Sequence, residues 1–165
     1  MSEKINRKGL VFSTDGVVSI IVFLVVMIFI ISLWNLYGNK LQESVALEEL
    51  ELLNFQITDL LMKTSGTPTD WESSPTDALA LGLRSNPGML DDGKLTAFLT
   101  MDYNLVKTLL NIERFEFEFV LKDDNGNVLN SSGISPIDTD RAVSSSGFML
   151  LNNETRELIF TLWTD

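Results

Sequence analysis

An uninterrupted apolar segment near the N-terminus constrains this sequence more than any other feature. Residues 16–39 carry no charged side chain, and the stretch 17–34, VVSIIVFLVVMIFIISLW, contains only Ser19 and Ser32 as polar residues. A helix of about 24 residues is roughly 36 Å long, which exceeds a hydrocarbon thickness of about 30 Å. The segment therefore predicts one transmembrane helix, with Trp34 and Tyr37 at the outer interface.

The residues before this segment predict its orientation. Lys4, Arg7 and Lys8 stand against a single acid, Glu3. Because basic residues are retained on the cytoplasmic side, we expect a cytoplasmic N-terminus and an extracellular chain beyond about Leu36. The competing interpretation is a cleaved secretory signal. Such a signal has an apolar core of only about 7–15 residues and then a small-x-small cleavage site, which NLYGNKLQES does not offer.

A small residue instead lies before the apolar segment, at the end of the sequence RKG at 7–9. Ser13 and Asp15 follow, and the apolar run begins at Gly16. This order resembles the class III signal peptides of archaeal type IV pilin-like proteins. Those peptides have a short basic leader ending in Lys-Gly or Arg-Gly, a polar patch with a carboxylate, and then an unbroken apolar helix. The resemblance is carried by about the first 37 residues.

The resemblance implies that a prepilin peptidase cleaves the chain after Gly9. Lys8, Gly9 and Leu10 would then form the processing site, and Ser13 and Asp15 would act in assembly. In the family pattern the first mature residue is often Gln and the carboxylate is the fifth. Here Leu10 would be first and Asp15 sixth, so this sequence departs from the pattern in its first mature residue and in the position of its carboxylate.

Two interpretations of Asp15 remain open. Ser13 or Thr14 could cap the helix while Asp15 faces the positive end of the helix dipole, an arrangement worth about 0.3–1 kcal/mol at an exposed site. Alternatively, cleavage would create an ammonium group at Leu10, and Asp15 could neutralise that amine, its own or a neighbour's, within a bundle of helices.

The helical pattern continues beyond the membrane segment. Apolar residues recur at three- and four-residue steps on one face, which is typical of an amphipathic helix; they are Ala46, Leu50, Leu53, Ile57 and Leu60. The sequence Ser65-Gly66-Thr67-Pro68 predicts the end of this helix at about Lys63. Leu52 and Phe55 lie away from the main face, which indicates either a wrapping head, contact with neighbouring subunits, or scattered surface residues.

The composition after Gly66 changes to that of a loop-rich domain. Trp71 is expected to anchor its loop in the core rather than to stack on a ligand, and Asn86-Pro87-Gly88 predicts a turn. Asp91 or Asp92 can cap a helix whose apolar face is Leu95, Phe98 and Leu99. Asp102 would interrupt that face, so we expect it to cap a second helix that buries Leu105, Val106, Leu109 and Leu110.

The C-terminal part predicts strands. Residues 115–121, FEFEFVL, alternate apolar and acidic side chains, as a half-buried strand does. The turn 123–127, DDNGN, predicts a hairpin into Val128 and Leu129, and 152–155 predicts a second hairpin between 148–151 and 157–163. The expected fold is α+β, with a long N-terminal helix packed on a head of short helices and an antiparallel sheet of about four strands, similar to a type IV pilin.

Composition excludes several kinds of chemistry. The chain has 12 Lys+Arg, 23 Asp+Glu and a net charge of −11, so nucleic acid is a poor partner. Histidine and cysteine are absent, which removes the commonest general base, the thiolate nucleophile and the usual zinc ligands. The acidic turn 123–127 lacks the ligand spacing of a calcium loop, so we expect a turn there and no metal, cofactor or catalytic site. Asn130 and Asn153 begin N-glycosylation sequons.

The sequence thus predicts four parts: a leader at 1–9, a transmembrane and filament-core helix at 10–37, an amphipathic extension at 38–64 and an acidic extracellular head at 65–165. The resemblance implies a non-enzymatic pilin-like subunit. Its partners would be the membrane, a prepilin peptidase, the pilus assembly platform and other subunits, in a homo- or hetero-polymer. It would be a single-pass membrane protein before assembly and part of an extracellular filament afterwards. The alternative is a single-pass, signal-anchored binding protein that does not polymerise.

Overall fold

The computed structural model describes residues 7–137, 139 and 141–164, with side chains described from Asp15 onward except at 39, 42 and 43. The described residues form the long helix α1, two short 3₁₀ helices, two further α-helices and six strands. In chain order these are α1 (Arg7–Lys63), 3₁₀ helices Trp71–Ser73 and Pro75–Asp77, β1 (Arg84–Asn86), β2 (Met89–Leu90), α2 (Asp92–Thr100), α3 (Tyr103–Leu110), β3 (Glu116–Lys122), β4 (Val128–Gly133), β5 (Ala142–Leu151) and β6 (Glu154–Trp163).

The predicted α+β class, with a long apolar N-terminal helix, is confirmed. The chain divides into two compact units, Met1–Ala46 and Leu47–Asp165, and α1 contributes residues to both. The second unit, here called the head, therefore contains the last turns of α1 as well as everything that follows them.

Helix α1 extends over 57 residues without interruption. It begins at Arg7, so Ser13 and Thr14 lie inside it, and the prediction that one of them caps its first turn is wrong. The reason is that nothing between Arg7 and Asp15 stops a helix, since Gly9 alone costs only about 1 kcal/mol relative to Ala. The predicted end at Lys63 is confirmed. Gly66 follows with a left-handed φ of 81°, which glycine adopts without steric cost.

The part of α1 that belongs to the head packs one face into the core. Leu50, Ile57 and Leu61 are buried, as are the polar residues Asn54 and Thr58. Leu53 and Leu60 are partly buried, whereas Ala46, predicted on the same face, is exposed. Leu52 and Phe55 remain exposed, at 59% and 58% of their surface, so the head does not wrap around that side of the helix.

The sheet has six strands in the order β1-β2-β5-β6-β3-β4, not about four. The two strands missed by the prediction, β1 and β2, have three and two residues, too few for any periodicity to show. They flank the predicted turn at Asn86-Pro87-Gly88, and β2 joins β5 in parallel through Met89 and Leu150. All other pairs in the described sheet are antiparallel.

Both predicted hairpins form. Asp123 and Asn127 close the β3–β4 turn through the Asp123 N–H and the Asn127 carbonyl at 3.0 Å. Strands β5 and β6 are longer than predicted and meet at Asn152 and Asn153, whose φ values of 53° and 66° fit a two-residue hairpin turn. Asparagine tolerates this left-handed conformation better than most residues.

The inner face of the sheet carries the head's core. The predicted alternation in β3 is confirmed, since Phe117, Phe119 and Leu121 are fully buried. They lie opposite buried residues of β6, namely Leu162, Phe160 and Leu158. Phe98 of α2 packs on Phe119 with ring centroids 5.0 Å apart.

The caps of α2 and α3 form as predicted. The Asp91 carboxylate accepts from the Lys94 N–H at 3.1 Å, and Asp102 accepts from the N–H groups of Asn104 and Leu105 at 3.0 and 3.1 Å. Each carboxylate satisfies donors that the first turn of a helix leaves unpaired. Within α3, Val106 and Leu110 are buried, and Leu105 and Leu109 are partly buried.

The loop between α1 and β1 is fixed by a buried tryptophan. Trp71 has no exposed surface, and its indole Nε1 donates to the Gly82 carbonyl at 3.0 Å. The prediction that Trp71 anchors its loop in the core is therefore confirmed. The buried Lys94 adds a second tie, because its Nζ donates to the carbonyl of Ser65 at 2.7 Å, directly after the end of α1.

Candidate membrane-anchoring and processing site

The apolar part of α1 covers Asp15–Gly38, which is 24 residues. It is long and apolar enough to cross a membrane, and none of its residues is buried against the rest of the described chain. All large apolar side chains in this segment are exposed, from Val17 to Tyr37. A continuous apolar surface of this size is unfavourable in water. A segment with these properties can anchor a protein in a membrane or act as a signal sequence.

One polar side chain within the segment finds its hydrogen-bond partner in the helix itself. The Ser32 hydroxyl donates to the Ile28 carbonyl one turn earlier at 2.8 Å, which satisfies this donor inside the helix. Trp34 and Tyr37 are exposed at 78% and 62% near the C-terminal end of the segment. Aromatic residues of this kind prefer the boundary between lipid and water.

The predicted processing residues lie at the start of α1. Lys8, Gly9 and Leu10 have helical backbone, as does Ser13. The side chains of Lys8, Leu10 and Ser13 lie outside the described part of the chain, and so do residues 1–6 of the predicted leader. The processing and assembly roles of these residues stay predictions.

Asp15 is exposed and is the first residue of the apolar segment. Because α1 begins at Arg7, Asp15 is in its third turn, beyond the reach of the dipole effect at the first turn. In a chain cleaved after Gly9, the same carboxylate would be five residues from the new amine. The counter-ion interpretation concerns that cleaved chain and stays a prediction.

In the head, the sequence did not reveal a polar cluster of Tyr103, Lys107 and Glu116. Tyr103 and Lys107 are one turn apart on α3, and Glu116 begins β3. The Tyr103 hydroxyl donates to Glu116 Oε2 at 2.5 Å and accepts from the Phe117 N–H at 3.1 Å. Lys107 Nζ donates to Glu116 Oε1 at 3.0 Å. The one signal of this cluster in the sequence is the four-residue spacing between Tyr103 and Lys107, which places both on one face of α3.

The electrostatics of this cluster indicate a structural role. Burial, followed by the hydrogen bond to Glu116, raises the pKa of Tyr103 to about 12. The hydrogen bond from Tyr103, followed by the Lys107 ammonium, lowers the pKa of Glu116. A tyrosine that keeps its proton and a carboxylate with both oxygens engaged are poor candidates for general base or nucleophile. The cluster therefore fastens α3 to β3.

The acidic turn 123–127 has the geometry of a turn, as expected. The Asp123 carboxylate accepts from the backbone N–H groups of Asn125 and Asn127 at 2.9 and 2.8 Å, and from Asn127 Nδ2 at 2.9 Å. These bonds, the Asn127 side-chain amide first, lower the pKa of Asp123. Among the described residues, no group of three or more Asp, Glu, His or Cys side chains could hold a metal ion.

The two sequons differ in their surroundings. Asn130 is exposed on β4, which is the last strand of the sheet, and it pairs with Leu121 of β3. Asn153 is exposed in the β5–β6 turn, outside the paired residues of either strand.

Comparison of the chain with models of protein families, with curated proteins and with solved structures found no match.

Proposed function

We propose that this chain is a non-enzymatic structural subunit of a type IV pilus-like surface filament, processed by a prepilin peptidase and assembled through its N-terminal helix. One observation carries the proposal: the basic RKG sequence at 7–9 lies in the first turn of α1, shortly before the apolar segment Asp15–Gly38, and the last turns of the same helix belong to the core of the head. A cut at that place would remove the leader and leave the helix on the mature protein.

The exposed apolar segment supports the proposal, because it needs an apolar environment both before and after assembly. Asp15–Gly38 has no partner within the described chain that covers it. Lipid would cover it before assembly, and the equivalent helices of other subunits would cover it in a filament. Either environment removes the apolar side chains from water, which is favourable by about 25 cal/mol per Å² of apolar surface.

The last turns of α1 supply the mechanical link that a filament needs. Leu50, Ile57 and Leu61 belong to the same buried cluster as the strands of the head. Pulling the helix out of the head would expose these side chains, at a cost of roughly 1.5–3 kcal/mol for each. A force on the helix is therefore transmitted to the folded head rather than to a flexible linker.

The proposed partners follow from this arrangement. The cytoplasmic leader would meet the prepilin peptidase, and the apolar helix would pass from the membrane to the assembly platform and to other subunits. The acidic head would lie outside the cell. No cofactor or metal is required for such a role.

Replacement of Gly9 tests the proposal. The wild-type chain isolated from native membranes and from sheared filaments is expected to begin at Leu10, as measured by intact mass and N-terminal peptide mapping. Gly9→Val should accumulate as a membrane-bound precursor, because a branched side chain obstructs the slim backbone that the peptidase needs. Gly9→Ala, which keeps a small residue, is the matched control and should still be cleaved.

The alternative function predicts a different result. A permanently anchored binding protein would keep Met1 or Ser2 at its N-terminus in every fraction and would be missing from sheared filaments. Normal maturation of Gly9→Val would also contradict cleavage at this site.

A further inference from the structure

The register of the sheet places two turns side by side. Strands β3 and β6 pair in antiparallel fashion, with Lys122 opposite Glu157. The turn 123–127 leaves β3 at this end of the sheet, and the Asn152–Asn153 turn enters β6 at the same end. Neighbouring strands lie about 4.8 Å apart, so their turns are neighbours as well.

A polar cleft lies between these turns. Its volume is about 540 Å³, and its walls include Asp123, Asp124, Asn125, Asn153, Thr155 and Arg156. Pockets of about 300–1,000 Å³ accommodate small organic molecules. The cleft is lined by carboxylates that accept hydrogen bonds, a guanidinium that donates them, and amide and hydroxyl groups that do both, which suits a ligand rich in hydroxyl groups better than an apolar one.

The acceptor of an N-glycosylation sequon is itself part of the wall. Asn153-Glu154-Thr155 is a complete sequon, and both Asn153 and Thr155 are exposed. We propose that Asn153 carries an N-linked glycan and that its first sugar occupies the cleft between the two turns. The proposal rests on the proposed function, because it requires the head to lie outside the cell.

The second sequon fits this modification less well. Acceptor asparagines are expected on surface loops, whereas Asn130 is held in the β3–β4 ladder opposite Leu121. The hydroxyl residue of that sequon, Ser132, is only partly exposed and pairs with Phe119. Asn153, in contrast, lies in the turn with a left-handed φ of 66°.

The sugar would be transferred to Asn153 from a lipid-linked donor. The Asn153 amide nitrogen forms a bond to the anomeric carbon of a sugar attached to a polyprenyl phosphate or pyrophosphate. The bond from that carbon to the phosphate oxygen breaks, and the lipid phosphate leaves with the bonding electron pair. The amide loses one proton to a base of the membrane-bound transferase, and no oxidant or reductant is needed.

The wall offers specific contacts to the attached sugar. Both oxygens of Asp123 already accept bonds from its own turn, so Asp123 holds the wall in shape. Asp124 Oδ1 accepts a hydrogen bond from Asn125 Nδ2 at 3.1 Å. The second carboxylate oxygen of Asp124 would accept a hydrogen bond from a sugar hydroxyl. The sugar would thereby fasten one turn to the other.

The attachment is tested by mass spectrometry of the full-length protein from its native cells. Wild type and Asn130→Gln should carry a mass increment of whole sugar units on the peptide that contains Asn153. Asn153→Gln and Thr155→Ala should lose it, and Thr155→Ser, which keeps the hydroxyl, should retain it. An increment that survives in Asn153→Gln, or is found only on Asn130, overturns the proposal.

Protease treatment of intact cells separates this proposal from the proposed function. A head that is cleaved by external protease but carries no sugar contradicts the glycosylation alone. A head that is protected inside the cell contradicts both the extracellular location and the glycosylation.

The position of the sugar is tested by hydrogen exchange in the turn. The amides of Asn125 and Asn127 should exchange about fivefold more slowly in the glycosylated chain than in Asn153→Gln, the change expected from one added net hydrogen bond. This ratio should fall to near one in an Asp124→Ala background. It should persist with Asp70→Ala, the matched control, since Asp70 is exposed and its side chain makes no cap bond. Equal exchange with and without the glycan would show that the sugar does not occupy the cleft.

Discussion

The hydroxyl group of Tyr103 joins helix α3 to two consecutive residues of strand β3, so its removal is the most informative single change. Tyr103→Phe keeps the aromatic ring, which stacks on Phe117 with centroids 4.8 Å apart. It deletes the bond to Glu116 Oε2 and the acceptor for the Phe117 N–H. Lys107 still pairs with Glu116 in the variant. The substitution thus removes hydrogen bonds and leaves the packing in place.

The expected loss of stability follows from those two bonds. A hydrogen bond to a charged group contributes about 1.5–3 kcal/mol, and an unpaired buried N–H costs about 1–3 kcal/mol. The lower ends of these ranges apply, because the Glu116 side chain is 33% exposed and keeps its lysine partner. We therefore expect a loss of about 2–3 kcal/mol, which lowers the Tm of a domain of this size by roughly 8–12 °C.

The effect should depend on pH in a defined direction. Because the pKa of Glu116 is lowered in the folded chain, its contribution is present above its usual value and is lost as the pH falls through the folded pKa. Because the pKa of Tyr103 is raised to about 12, its contribution is present below pH 10 and is lost as the pH rises towards 12. The difference between wild type and Tyr103→Phe should therefore be greatest near neutral pH and smaller at both extremes.

Thermal unfolding of the detergent-solubilised full chain, followed by near-ultraviolet circular dichroism, measures this difference. Tyr37→Phe is the matched control, because Tyr37 is the other tyrosine of the sequence and is exposed in the apolar segment. A Tm of Tyr103→Phe that equals that of wild type at neutral pH would refute the reasoning. A stability difference that does not change with pH would refute the assigned ionisation.

Two further predictions concern α1. A fragment that starts at Gly66 should be soluble but should melt at a lower temperature than a fragment that starts at Asn39, because it lacks the buried side chains of α1; equal Tm values in thermal scans would show that the last turns of α1 do not stabilise the rest of the head. Asp15→Asn should leave membrane insertion and cleavage unchanged but should sharply reduce the protein in sheared filaments relative to membranes, since an ammonium left unpaired in a helix bundle costs several kcal/mol; an unchanged ratio of the two fractions would leave Asp15 without a role in assembly.

Local patterns in the sequence were sufficient to predict most of the helices, strands and turns of the head. Asp91 and Asp102 cap helices through donors only two or three residues away. The alternation in β3 records burial on one face of a strand, and the sequence at 123–127 encodes its own turn. Each of these signals involves residues that are close together in the sequence, so it can be recognised without knowledge of the fold.

Strand β5 shows why other elements were missed. Its first half, 142–147, reads AVSSSG and has no apolar alternation. It is a strand because it pairs along its whole length with β6, from Ala142 opposite Trp163 to Leu151 opposite Glu154. The Tyr103 cluster and the cleft arise in the same way, from strands and helices that meet only in the folded chain.

Asn54 is a polar residue on the buried face of α1, where the apolar pattern alone would not place one. It lies among the apolar residues of α1, yet it is fully buried. Its Nδ2 donates to the Val143 carbonyl at 3.0 Å and to Ser145 Oγ at 3.2 Å, both on β5. A shift of α1 by one helical turn, about 5.4 Å, would separate these groups and leave the Asn54 Nδ2 donor unpaired in the core. Apolar side chains alone would tolerate such a shift more easily, because their attraction has no direction. Asn54 therefore fixes the position of α1 along the sheet, while Leu50, Ile57 and Leu61 supply most of the favourable free energy.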